Sequence, residues 1–166
     1  MSQSPLCYAK LHDAAIRLID RYLGKYGNDL FRVWVTERPF ELHVQGGIVT
    51  GRADVILDKE DGKPGSMAIL DYKTSTEADN PVYGFQLAIY AAAGRAEGMD
   101  VRAAYVHDLR DGERTPVPIQ VQATELAKAK AEDGLKGIVE HSFPFYKGHH
   151  CNGCDVRLVC RHGPAR

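Results

Sequence analysis

The chain lacks an excess of either charge: 21 lysines and arginines face 22 aspartates and glutamates, a formal charge of −1 over 166 residues. Bulk electrostatics therefore announces no polyanionic partner, and any basic footprint has to be local. A long apolar run is missing too. Nothing reaches the about 18 consecutive apolar residues of a membrane span, and the opening MSQSPLCYAK has no signal-peptide core. The expectation is a cytoplasmic protein with no membrane partner, in a compartment where disulfides are rare. No GxxxxGK[ST] occurs, so any ATPase motor lies elsewhere. Internal repeats, low-complexity tracts and groove-reading elements such as zinc fingers are also absent. Cysteine is scarce at four residues, yet three of them crowd into HHCNGCDVRLVC near the end, which calls for an explanation other than disulfides.

The length suits one domain with a sizeable core. Residues 8–25 have helical periodicity, with His12, Ile16, Ile19 and Leu23 on one face. Strands are expected at 31–36, 40–45 and 47–57, with Gly46-Gly47 as a turn. The polar loop DKEDGKPGS precedes MAILDYK (67–73), too short for a helix and apolar enough for a buried strand. A second helix is expected at 81–98, strands at 101–109 and 115–122, and a third helix at 124–141 capped by Thr124. Pro116 and Pro118 place the 115–122 strand at an edge. The order predicts an α/β fold, a central mixed sheet flanked by helices, followed by a cysteine-rich tail. The expected organisation is a single domain over 1–166, with a core at 8–141 and the tail at 142–166.

Two acids interrupt the apolar strands: Asp54 in GRADVI and Asp71 in LDYKTS. If those strands are neighbours, the carboxylates approach each other and repel unless a cation sits between them. Oxygen ligands of this kind suit Mg²⁺ or Mn²⁺. Asp71 and Lys73 are two apart and share a strand face, which puts an ammonium beside the acid where phosphoryl charge could be balanced. The plainer reading is an ion pair at a strand end. His12, on the apolar face of the first helix, is either a hydrogen-bonded core residue or a ligand. Gln86 and Tyr90 lie one helical turn apart and share a face, which packing alone could explain.

Taken in order, His12, GRADVI, DYK and QLAIY resemble the four motifs of the RecB-like branch of the PD-(D/E)xK nuclease superfamily. The resemblance covers residues 12–90 and implies a restriction-endonuclease-like core. It implies metal ligation by His12, Asp54, Asp71 and the Tyr72 carbonyl, and catalysis by Lys73 with Asp71 and Asp54. Gln86 and Tyr90 match the family's Gln-x-x-x-Tyr signature, which supports the site and the DNA. An imidazole ligand would favour Mn²⁺ over Mg²⁺.

The tail reads Cys151-x2-Cys154-x5-Cys160, a set that suits zinc or an iron–sulfur cluster. The same spacing resembles the iron–sulfur branch of the family, represented by AddB and CRISPR-associated exonucleases. That resemblance implies a [4Fe-4S] cluster held by Cys7, Cys151, Cys154 and Cys160, although Cys7 lies only five residues before His12. Zn²⁺ with His149, His150 or His162 as fourth ligand is the alternative, and a third is that the cysteines are structural and Cys7 is a free buried thiol. Lys147, Arg157, Arg161 and Arg166 make the tail locally basic against Asp155 alone, suited either to phosphate contacts or to plain solvation. Arg157 and Arg161, with Arg52 beside Asp54, are the candidate DNA contacts.

The expected function is metal-dependent, sequence-independent hydrolysis of DNA, from an end or on a single strand. A helicase or CRISPR integration proteins are the expected partners, in repair, recombination or CRISPR adaptation. The alternative is a non-catalytic DNA-binding or complex-forming module whose cysteine site is scaffolding.

Overall fold

The computed structural model describes residues 5–74, 81–142, 148–157 and 159–160, without the side chains of residues 5–7, 149 and 150. Its centre is a five-stranded sheet in the order β1-β2-β3-β4-β5. The strands are β1 (Val33–Val44), β2 (Gly47–Leu57), β3 (Ser66–Lys73), β4 (Asp100–Asp108) and β5 (Glu113–Pro116). β3 and β4 are parallel and the other neighbours antiparallel, so the sheet is mixed as expected. The helices are α1 (Pro5–Tyr26), α2 (Pro81–Ala96) and α3 (Val121–Val139), and α2 is the crossover that makes β3 and β4 parallel.

Several local expectations shift. The segments 31–36 and 40–45 are one strand, β1, running through Glu37-Arg38-Pro39. Proline is tolerated because β1 is an edge bonded only to β2, and Glu37 adopts a left-handed φ of 53° without ending the ladder. The β1–β2 turn is Gln45-Gly46, with Gly46 at φ 93°, while Gly47 already pairs with Val44. β5 stops at Pro116 instead of running to 122. Thr124 lies inside α3, where its hydroxyl donates to the Val121 carbonyl at 2.9 Å, and the cap position is Gln120.

The larger core lies between one sheet face and α2. Phe40, Ile56, Ile69, Val101 and Val106 meet α2, buried continuously from Leu87 to Gly94. That helix is small and apolar over its last turns, so it sits close to the sheet. The other face carries Val55, Leu57, Ala68 and Leu70, with Tyr72 and Tyr105 packed beside them.

On this second face α1 turns Ala14, Leu18, Tyr22 and Tyr26 inward, each half-buried at i, i+4 spacing. The expected face fails: Ile16, Ile19 and Leu23 are exposed. Aromatic clustering decides the contact, not the aliphatic stripe. The rings of Tyr22, Tyr26 and Tyr72 stand edge-on to His107 at 5.2, 5.0 and 5.5 Å.

His107 is fully buried, and its Nδ1 accepts from Arg114 Nε at 3.4 Å, so Nε2 carries the proton, buried without a hydrogen-bond partner among the described residues. Burial first, then the Arg114 charge, holds its pKa below the ordinary value of a free imidazole, against a smaller pull from Asp108. The unfolded chain thus binds the proton more readily than the native one. Native stability is undiminished above the unfolded value and is lost as pH falls through it, at up to about 1.4 kcal/mol per pH unit. His107→Phe is expected to flatten that acid slope. Denaturant unfolding of both proteins at about pH 7.5 and about pH 5.5 measures it, and equal slopes would overturn the assignment.

Candidate active site

The site forms where two strands part. β2 and β3 share three rungs, Leu57 with Ala68, Ile56 with Ile69 and Val55 with Leu70. Asp54 and Asp71 occupy the next rung, which does not close. Instead the Asp54 carboxylate takes the backbone N–H of Tyr72, Oδ2 accepting at 2.8 Å. A side chain has replaced a ladder carbonyl, and the strands diverge at the two acids. β3 stays bonded to β4 as far as Lys73 and Asp108, which keeps Asp-Tyr-Lys on a rigid edge.

Side-chain alternation sends Asp71 and Lys73 toward α2 and Tyr72 toward α1. Asp71 is buried, and its Oδ2 lies 2.7 Å from Lys73 Nζ. Across from them α2 presents Tyr83, Gln86 and Tyr90. The Lys73 ammonium sits 4.8 Å from the centre of the Tyr83 ring. The two amide hydrogens of Gln86 serve two acceptors, Asp71 Oδ1 at 3.4 Å and the Tyr90 hydroxyl at 3.0 Å. That hydroxyl also accepts the Arg52 backbone N–H at 3.2 Å. A chain of contacts therefore runs from the β2 backbone through Tyr90 and Gln86 to Asp71. Tyr83 escapes the motif reading, although spacings of three and seven residues place it on one helical face with Gln86 and Tyr90.

Burial is the main force raising the Asp71 pKa; Lys73 opposes it and the Asp54 charge reinforces it. The Lys73 ammonium lies at ion-pair distance from Asp71 Oδ2 and is its charge partner. Two neighbouring carboxylates set against one ammonium, one of the acids buried, fit a divalent cation.

Other expected residues stand apart. His12 is exposed, 3.6 Å from the Asp13 carboxylate and stacked on Tyr8. Cys151 and Cys160 are half-buried and Cys154 is exposed. Among the described residues, no three His, Cys, Asp or Glu side chains gather closely enough to hold a metal. His12 therefore does not join Asp54 and Asp71, and the three tail cysteines do not form a ligand set. Arg52 and Arg157 are exposed. The side chain of Cys7, and Arg161 and His162 entirely, lie outside the described residues. A recess of about 420 Å³ on the opposite face, lined by Ala15, Leu18, Ile19, Tyr22, Tyr72 and Leu109, offers no carboxylate or amine and so no hydrolytic chemistry.

Comparison with known proteins agrees with this geometry. In fold the chain is similar to the crystal structure of SSO0001, with a TM-score of 0.54 and 15% identity over 98% of this chain and 73% of that one. It is also similar to a candidate exonuclease from Eubacterium rectale, with a TM-score of 0.57 and 14% identity over 93% of this chain and 61% of that one. No curated protein sequence matches. The family model described as the PD-(D/E)XK nuclease superfamily matches residues 3–161, nearly the whole chain, and with the parted strands and the Asp-x-Lys edge it settles the family: the chain belongs to the PD-(D/E)XK nuclease superfamily.

Proposed function

We propose that this chain is a deoxyribonuclease that hydrolyses DNA phosphodiester bonds with Mg²⁺ or Mn²⁺, independently of sequence, from an end or on a single strand. The observation that carries the reading is the opening of β2 from β3 at Asp54 and Asp71, with Lys73 2.7 Å from Asp71. Asp54, Asp71 and the Tyr72 carbonyl would hold the ion; when bound, it supplies Lewis acidity and an acidified water. His12 is proposed as a further ligand on the family resemblance alone, since the structure holds it away from the acids.

The chain's own residues account for the rest. The Lys73 ammonium, fixed against the Asp71 carboxylate and the Tyr83 ring, is placed to balance negative charge building on a phosphoryl group and to orient the incoming oxygen. Gln86 fixes the other oxygen of Asp71. Arg52, Arg157 and Arg161 are proposed as phosphate contacts, which position a strand without reading it. Residues 1–166 are proposed as one nuclease domain, with repair, recombination or CRISPR adaptation as its setting and a helicase or integration proteins as partners. The [4Fe-4S] cluster on Cys7, Cys151, Cys154 and Cys160, or Zn²⁺ in its place, rests on sequence spacing. As placed, the three tail cysteines do not fit either group, and no step runs through one.

Anaerobic purification followed by digestion of end-labelled single- and double-stranded DNA tests both parts. Cleavage is expected with Mn²⁺ or Mg²⁺ and none with chelator. A brown protein with visible sulfur-to-iron absorbance would support the cluster, and a colourless protein with stoichiometric zinc would reject it. No cleavage with either ion, on either substrate, would leave the non-catalytic binding module as the reading.

A further inference from the structure

The strand that carries Asp54 also carries a glycine whose backbone does not require one. Gly51 lies in the middle of β2, opposite Phe40 on β1, and its φ is outside the left-handed region that favours glycine. Glycine weakens a strand interior, and where the backbone is ordinary it marks close approach by another group. That group is Tyr90. A Cβ at residue 51 would stand 2.4 Å from Tyr90 Cε1, 3.0 Å from its hydroxyl oxygen and 3.1 Å from Cζ. The ring cannot swing aside freely, because Tyr90 is 7% exposed and packs on Phe40 with ring centres 5.8 Å apart.

We infer that Gly51 is a positioning residue of the cleavage site: its bare Cα lets the Tyr90 ring lie against β2, where the hydroxyl takes the Arg52 N–H and receives Gln86, and Gln86 in turn fixes Asp71. This rests on the nuclease reading above. The consequence is a link between the two strands that part at the acids. β3 holds Asp71 on its own backbone, while the hydrogen bonds from β2 that end on the same carboxylate run, among the described residues, through Tyr90 and Gln86. A methyl group at residue 51 pushes the ring off the strand, withdraws the hydroxyl from the Arg52 N–H and lets Gln86 drift from Asp71. Gly51 touches no reacting atom, so the effect falls on the rate of cleavage more than on binding of DNA.

The test is a cycle of Gly51→Ala and Tyr90→Ala, singly and together, with Tyr90→Phe as the variant that keeps the ring and deletes only the hydroxyl. Cleavage rate, KM for a defined oligonucleotide and Tm are read on each. Gly51→Ala is expected to lower kcat about 10- to 100-fold with KM within about 3-fold, and Tyr90→Phe to lower kcat about 10-fold. In the Tyr90→Ala background the added methyl has no ring to strike, so Gly51→Ala should cost no further rate and no further Tm. Wild-type kcat in Gly51→Ala, or equal losses in both backgrounds, would overturn the inference. If the wild-type protein cuts no DNA, the nuclease reading fails separately, and the Tm cycle still decides whether ring and Cα are coupled.

Discussion

Asp71→Asn is expected to abolish divalent-ion-dependent DNA cleavage, lowering kcat by about three orders of magnitude, without unfolding the protein. Asparagine keeps the shape of the side chain and an oxygen for Gln86, but removes the charge that a cation and Lys73 need. The carboxylate is poorly served by the fold that holds it. Burial and the neighbouring Asp54 charge both raise its pKa, and the Lys73 ammonium at 2.7 Å offsets them only in part. A group in that state costs stability. The variant should therefore match or exceed the wild-type Tm while losing cleavage, the trade expected where function needs a strained group. Lys73→Met should lose cleavage likewise. Measuring Tm beside single-turnover cleavage in Mn²⁺ separates the outcomes: wild-type kcat in Asp71→Asn would remove the catalytic reading, and joint loss of fold and activity would make Asp71 a structural acid.

The sequence made much of this site legible because its motifs sit on regular elements. Asp71 and Lys73 share a strand face by simple alternation, and Gln86 and Tyr90 share a helical face by one turn. Both follow from period alone. Asp54 was harder: periodicity places it on a strand, but only the lost rung shows that its carboxylate replaces a ladder carbonyl at the Tyr72 amide. The misreading of α1 has a different cause. Its apolar arc is wider than the stripe that packs, and Tyr22 and Tyr26 turn toward His107 in preference to Ile16, Ile19 and Leu23. That rotation is set by partners on β4 and β5, which helical period does not contain. It also leaves His12 in solvent. Gly51 was invisible for a related reason: a missing Cβ shows its purpose only when the ring that fills the space is in view.

Away from the site, the largest expected effect belongs to Arg114 on β5. Its guanidinium meets Asp29 Oδ2 at 2.8 Å and lies 3.9 Å from the centre of the Tyr26 ring, while its Nε reaches His107. Asp29 also binds Arg32 at 3.0 Å, and Arg32 continues to Glu60 at 2.6 Å. Glu60 in turn accepts the Tyr105 hydroxyl, whose pKa is pushed up to about 12, by burial first and by Glu60 next. Two arginines and two acids thus close a balanced network that ties α1, the start of β1, the β2–β3 loop, β4 and β5 together. Removing one cation leaves two acids to one arginine around a nearly buried Asp29. Arg114→Ala is therefore expected to cost about 3 kcal/mol, a fall in Tm of roughly 6 to 12 °C for a domain of this size. The partner change moderates the loss: Asp29→Leu combined with Arg114→Met should be less destabilising than the sum of the two single changes, because no charge is then left unpaired. The network lies on the α1 face, away from Asp71 and Lys73, so at a temperature where Arg114→Ala remains folded its cleavage rate should stay within about 3-fold of wild type. A Tm change below about 2 °C would mean that water already satisfies these charges, and that packing of the three tyrosines against His107 holds the second face by itself.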